Sequence, residues 1–309
     1  MSAKRVVITT GDPAGCGPYI TMKAIYALRH VKADFFVAAD KHVLQNTALY
    51  HALTGRITLI DAHTPGIERL EIGKVSLLGA TASLSYLDQG LKAMQCLGID
   101  RLVTAPVSKE AVKLVLPGFC GHTEYLARHF RVKNFAMMMA SRKLKVVLFS
   151  RHLPLREVSG EIRKKELLDT FSLVYSSLKE NFKIKNPAMA VCALNPHAGI
   201  STFMEKEERA VYEAVKAFSG RMHGPFPADT IFIPQNLKKY DCIITLYHDQ
   251  GMIPFKLLSL KEGVNVTVGL PIIRTSPDHG VAYDVVKENK IPFASSMIAA
   301  IKLALELSV

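Results

Sequence analysis

The chain has 309 residues, 49% hydrophobic and 21% charged, a make-up that excludes a disordered or fibrous chain and suits one large or two medium globular domains. Its net charge of +12 and pI near 9.4 leave an anionic partner open. The cations fall in scattered clusters such as Arg142/Lys143/Lys145 and Arg163/Lys164/Lys165 without interleaved aromatics, so nucleic acid is not expected and a solvated lysine-rich surface is.

In chain order, Val6 to Thr10 reads as a buried strand opening into the turn Gly11-Asp12-Pro13-Ala14-Gly15-Cys16-Gly17-Pro18. A helix follows through Ile20, Ala24 and Leu28, with Pro18 suited to its first turn. The turn has neither a P-loop ending nor GxGxxG spacing, so a tight βα turn and a ligand loop both remain open. Asp34 to Ala39 and Ile57 to Ile60 are further strands, with a helical segment from His42 to Leu53 between them. Residues 61–80 read as irregular, with a short strand at Val75 to Leu78, and a helix covers Thr81 to Leu97. Arg101 to Thr104 is a strand, after which Ser108 is placed to cap a helix. Pro117-Gly118 is the expected domain junction, and beyond it Thr123 is a second candidate cap. Phe135 to Ala140, Val146 to Phe149, Ala190 to Leu194, Ile243 to Tyr247 and Val264 to Val268 read as strands. Arg156 to Leu178, Glu205 to Phe218 and Ser295 to Leu307 read as helices, Gly224 to Thr230 and Gly269 to Gly280 as loops. Strands alternating with helices predict an α/β fold with a largely parallel sheet.

A repeated arrangement stands out in this order. Apolar strands run into Arg151-His152-Leu153-Pro154, Asn195-Pro196-His197-Ala198-Gly199 and His248-Asp249-Gln250-Gly251. Each delivers a histidine at a strand's carboxyl end, the edge where open α/β sheets bind ligands. Three converging neutral imidazoles suit a divalent metal with positions left for substrate. His122 and His279, beside glycines in loops, are second candidates. Asp249 can orient an imidazole or act on substrate, and Asp229 is a second carboxylate; either can also be a turn or cap residue. Lys256, Asn265 and Arg274 together suggest an anionic ligand. The five cysteines have no CxxC spacing, so neither a disulfide framework nor a cysteine-rich zinc site is expected. The N-terminus enters a strand directly and no apolar run approaches the ~20 residues of a membrane span, which together predict a cytoplasmic protein without a membrane partner.

The segments ITTGDPAGCGP, TAPVSKE, GHTEYLA, HLPLREV, LNPHAG, GPFPADTIF, YHDQGMIPFK and VNVTVGLPIIRTSPDHG resemble, in order, the motifs of the 4-hydroxythreonine-4-phosphate dehydrogenases of vitamin B6 biosynthesis. The resemblance implies a fold like the isocitrate and isopropylmalate dehydrogenases, with two α/β/α subdomains and a cleft between them. The expected division is 1–120 plus 270–309 for the first, with both termini, and 121–269 for the second, with the metal ligands and dimer interface. It implies NAD and a divalent metal (Zn, Mg or Co) as cofactors, and a homodimer whose active site lies at the subunit interface. Carried over by motif, His152, His197 and His248 are metal ligands; His122, Thr123, Lys256, Asn265 and Arg274 bind substrate; Asp229 is an active-site acid. Asp278, His279 and Gly280 correspond to the cofactor-side loop of the related decarboxylating dehydrogenases.

The implied reaction is oxidative decarboxylation of 4-phosphohydroxy-L-threonine to 3-amino-2-oxopropyl phosphate and carbon dioxide, with Asp229, Asp249 or a bound water taking the proton. Tyr19 stands where the family usually has an acid, Ile200-Ser201-Thr202-Phe203 where it has Glu and glycines, and Pro277 where it has Val. These departures keep a phosphorylated threonate open as an alternative substrate. A metal-dependent hydrolase or lyase and a non-catalytic binding relative are the rivals from other classes.

Overall fold

The computed structural model describes residues 3–199, 205–288, 290 and 292–309. Its strands are β1 (Lys4–Thr9), β2 (Ala33–Ala39), β3 (Ile57–Asp61), β4 (Arg101–Thr104), β5 (Ala136–Ala140) and β6 (Lys145–Ser150). They continue as β7 (Ala188–Cys192), β8 (Arg221–Phe226), β9 (Cys242–Tyr247), β10 (Val264–Val268) and β11 (Ile273–Pro277). Two compact units divide the chain: unit 1 is Met1–Arg131 with Pro271–Glu306, and unit 2 is Val132–Leu270 with Leu307–Val309.

In unit 1 the strands run in the order β3-β2-β1-β4-β11, every neighbouring pair parallel. Val6, Val7 and Ile8 of central β1 are wholly buried, as a strand covered on both faces requires. Helix Ser295–Glu306 packs on β11, β4 and β1, and helix Leu77–Leu97 packs on β1, β2 and β3. Gly90 permits that second approach, because a Cβ there would stand 2.9 Å from the Thr9 methyl. The predicted strand at Val75 to Leu78 is not formed. Ser76 instead caps helix Leu77–Leu97, its Oγ accepting from Gly79 N at 3.0 Å and satisfying a backbone donor the first turn leaves open. The single helical segment expected from His42 to Leu53 is two short helices, Lys41–Gln45 and Tyr50–Leu53.

Unit 2 has the order β10-β5-β6-β9-β7-β8. The β10/β5 and β5/β6 pairs are antiparallel, whereas β6/β9, β9/β7 and β7/β8 are parallel. Met139, Val146, Leu148, Ile243 and Phe255 belong to its buried core. The long helix predicted from Arg156 is interrupted at Ile162, which is extended, leaving Leu155–Glu161 and Lys164–Glu180.

Two predicted loops contain strands. Gly224 and Pro225, read as loop residues, lie within β8. The Gly269 to Gly280 segment holds β11, whose five residues are all buried although Arg274, Thr275 and Ser276 are polar. A strand buried on polar side chains carries no hydrophobic signature, which is why periodicity missed it.

The chain divides after Arg131, beyond the Pro117-Gly118 junction and the expected 120/121 boundary. Helix His122–His129 is held within unit 1 by Phe119, whose ring meets His122 and Tyr125 at centroid distances of 6.3 and 6.1 Å. The Tyr125 hydroxyl also donates to Asp88 Oδ1 at 2.5 Å. Among the described residues no helix is long and apolar enough to cross a membrane.

Candidate active site

In unit 2 the three histidines follow three strands that are neighbours in the sheet, β6, β9 and β7. Parallel pairing sets all three carboxyl ends at one edge, with Ser150 level with Tyr247. His152 lies two residues beyond β6, and His248 begins helix His248–Ser259 directly after β9. Their ring centroids are 5.7 Å apart. His248-Asp249-Gln250-Gly251 therefore form the first turn of a helix. Gln250 binds the edge together: its Oε1 accepts from Leu246 N at 2.8 Å and its Nε2 donates to Ala193 O at 2.7 Å. Gly251 allows the helix to start so close to the sheet, since a Cβ would stand 2.6 Å from Thr245 Oγ1.

His248 Nδ1 and Asp249 Oδ1 are 2.7 Å apart, an arrangement that fixes the ring and leaves Nε2 to act outward. Asp249 is thus an imidazole partner. His197 occupies a turn in which it and Ala198 both have φ of 56°, followed by Gly199 at 67°. Consecutive non-glycine residues in the left-handed region are costly, and such strain concentrates at functional sites. Upstream, Asn195 N donates to Glu208 Oε1 at 2.7 Å, and Glu208 is buried. His152 and His197 are exposed.

The structure brings together His152 and His248. It gathers no cluster of three or more potential metal-ligating His, Cys, Asp or Glu side chains among the described residues. Two apposed imidazoles, one oriented by a carboxylate, with a third on the neighbouring strand's end, are a donor set suited to a divalent ion. Asp229 is exposed in the first turn of helix Ala228–Ile231. Lys256 lies on helix His248–Ser259, and Asn265 on β10 opposite Met139, both partly buried.

Unit 1 carries a group of buried polar side chains. Arg274 is buried in β11, beside Leu102 of β4. Its Nη2 donates to Thr104 Oγ1 at 2.6 Å, and its Nη1 reaches Thr123 Oγ1 at 3.5 Å. Burial lowers the guanidinium to about 10, and the Glu124 carboxylate acts in the opposite sense. Burial, then Arg274, then Lys109 hold the His122 imidazole well below its ordinary range. A neutral His122 can accept as well as donate a hydrogen bond. Thr123 is not the helix cap; Gly121 occupies that position, with φ of 140°. The Thr123 hydroxyl is turned to Arg274 instead.

The Gly11 to Pro18 turn and the loop around Asp278, His279 and Gly280 are tied to each other. Cys16 N donates to Val281 O at 2.8 Å, and the Tyr283 hydroxyl donates to Asp12 Oδ2 at 2.5 Å. Asp12 is buried, which raises its carboxyl above the usual range against the hydrogen bonds it accepts from Tyr283 and Ala14 N. Close packing accounts for the glycines: a Cβ at Gly17 would stand 2.0 Å from Thr10 O, and one at Gly15 2.8 Å from Val281 O. Asp278 N donates to Ser296 Oγ at 2.9 Å, while His279 and Gly280 are exposed. The loop is anchored at both ends and open at its tip, which fits a ligand-contacting role. Tyr19 lines a cavity of about 290 Å³ with Lys23, Thr47, Leu49 and Val286. Ile200 to Phe203 lie outside the described residues, and Pro277 is buried at the end of β11.

Residues 16–304 match the family described as pyridoxal phosphate biosynthetic protein PdxA. A 4-hydroxythreonine-4-phosphate dehydrogenase of Desulfosudis oleivorans is 35% identical, over 97% of this chain and 94% of its own. One from Cupriavidus pinatubonensis is 36% identical, over 98% and 94%. Among solved structures, a 4-hydroxythreonine-4-phosphate dehydrogenase from Klebsiella pneumoniae superposes with a TM-score of 0.84 at 29% identity, covering 98% of this chain and 99% of that one. Isocitrate dehydrogenase from Methylococcus capsulatus shares the fold, with a TM-score of 0.52 at 11% identity over 97% of this chain and 84% of that one.

Proposed function

The chain belongs to the pyridoxal phosphate biosynthetic PdxA family, and from that premise we propose that it is an NAD-dependent, metal-dependent dehydrogenase that oxidatively decarboxylates 4-phosphohydroxy-L-threonine to 3-amino-2-oxopropyl phosphate and carbon dioxide. The observation that carries this reading is the apposition of His152 and His248 at the ends of paired strands, with His248 oriented by Asp249.

His152, His197 and His248 would hold the divalent ion (Zn, Mg or Co), which when bound supplies Lewis acidity that favours ionisation of the substrate hydroxyl. NAD supplies the hydride acceptor, with Asp278, His279 and Gly280 as its contacts. Asp249 keeps the His248 ring in one tautomer and orientation. Asp229 or a bound water then takes the hydroxyl proton. Arg274 and Lys256 bind the anionic ends of the substrate, while His122, Thr123 and Asn265 fix its orientation by hydrogen bonding. A neutral His122 suits this task, because it adds no third charge beside Arg274 and Lys109.

The protein would act as a homodimer. Ile253, Leu257 and Leu260 are 59, 82 and 70% exposed, at spacings that place them along one side of the helix begun by His248. Leu153 and Leu155, just after His152, are exposed as well. A second copy covering this apolar surface would also shield the histidine edge from water.

The test is absorbance at the NADH band with purified protein, NAD, a divalent metal and 4-phosphohydroxy-L-threonine, with and without chelator. A chelator-sensitive rise is expected. No rise with this substrate or with phosphothreonates would overturn the dehydrogenase reading.

A further inference from the structure

We propose that Lys109 is the second cation of an anion site in unit 1, acting with Arg274 to take the doubly charged phosphate of the substrate. This deepens the reading above and rests on its phosphate ester substrate.

Lys109 opens the short helix Lys109–Lys113. Its placement begins with Ser108, whose Oγ accepts from Ala111 N at 3.1 Å and whose side chain also bonds to Tyr283. From there the Lys109 chain lies over Gly121. A Cβ at Gly121 would stand 3.2 Å from Lys109 Cε and 3.5 Å from its Nζ. The φ of 140° at Gly121 independently requires glycine. Backbone and side chain therefore agree in leaving room for this ammonium.

His122 follows Gly121 directly and feels the positive charge of both Lys109 and Arg274. The Arg274 guanidinium holds the Thr104 and Thr123 hydroxyls, and Glu124 Oε2 would lie 3.3 Å from the same Gly121 Cβ. Part of Arg274's donor fork is already committed to Thr104, which weakens it as a lone bidentate clamp for a carboxylate. A phosphate monoester carries close to two charges near neutrality and several acceptor oxygens. It can engage the guanidinium, the ammonium and the threonine hydroxyls together.

Lys109 is exposed, so its truncation should leave the fold intact. Inorganic phosphate is titrated calorimetrically into the full-length protein, its Lys109→Ala variant and its Lys109→Arg variant, with acetate as the single-charge comparison. The wild type should bind phosphate, Lys109→Ala about tenfold more weakly, and Lys109→Arg within about threefold of wild type, with acetate little affected by either change. In turnover the Lys109→Ala loss should fall on KM for the phosphorylated substrate far more than on kcat. Equal phosphate affinity in wild type and Lys109→Ala would overturn the assignment, as would absence of phosphate binding by the wild type. If no substrate turns over, the dehydrogenase reading falls while the titration still decides the role of Lys109.

Discussion

The two units hold their polar residues in opposite ways. In unit 1, Arg274, Thr104, Thr123 and Asp12 are buried and engaged in hydrogen bonds within the unit. In unit 2, His152 and His197 are exposed, and the side chain of Asp249 remains 71% accessible while it holds His248. Burying a guanidinium without partners is expensive, so the unit 1 pocket exists because its threonines and its packing define it in advance. An exposed imidazole has no such requirement. The unit 2 edge gains its order from the sheet below it and from Gln250.

This contrast sets the expected size of each perturbation. His248→Ala removes an oriented imidazole from the middle strand of the edge, and turnover should fall by at least about a thousandfold together with metal affinity. Normal activity without metal dependence would sink the ligand assignment. Arg274→Ala should raise KM by roughly a hundredfold, because it opens a charged pocket that nothing else can refill. A collapsed kcat at unchanged KM would instead mean that Arg274 takes part in the bond changes. Leu257→Glu puts a charge on the exposed apolar surface and should shift the protein toward monomer in sedimentation equilibrium, with activity falling in step. A variant that remains fully dimeric would place the interface elsewhere.

The histidine edge was legible in the sequence because the same pattern recurs: an apolar strand, a break, a histidine. What periodicity could not give was the order β6-β9-β7, which makes those strand ends neighbours, nor the fact that His248 begins a helix. The unit 1 pocket was legible only in part. Motif resemblance points to Arg274 and Thr123, yet periodicity reads β11 as a loop, because a buried strand of Ile-Arg-Thr-Ser-Pro looks polar. Threonine before a helical run predicts a cap at Thr123, but Gly121 is better placed for the non-helical backbone there. Lys109 lies within the TAPVSKE segment, but the sequence assigns it no role. Locally it is a lysine just after the capping serine, and the glycine twelve positions on gives that lysine a place to lie.

The smallest expected effect, on pH dependence, tests whether the unit 1 pocket is preorganised in the free protein. Unfolded, the His122 imidazole titrates near the ordinary value of about 6.5. Folded, burial and then the Arg274 and Lys109 charges keep it neutral to well below that pH. Between the two values the unfolded chain binds the proton that the folded chain refuses, so stability falls as pH drops through that window and is unaffected by His122 above it. One proton sets the limit, about 1.4 kcal/mol per pH unit. The urea midpoint of wild type should therefore decline more steeply from pH 7 to pH 5 than that of His122→Gln, which has no proton to refuse. Lys109→Ala should fall between them, since it removes the lesser of the two charges acting on the ring. Parallel declines in wild type and His122→Gln would mean that water reaches the imidazole freely, and the pocket would then resemble the unit 2 edge in needing a ligand to complete it.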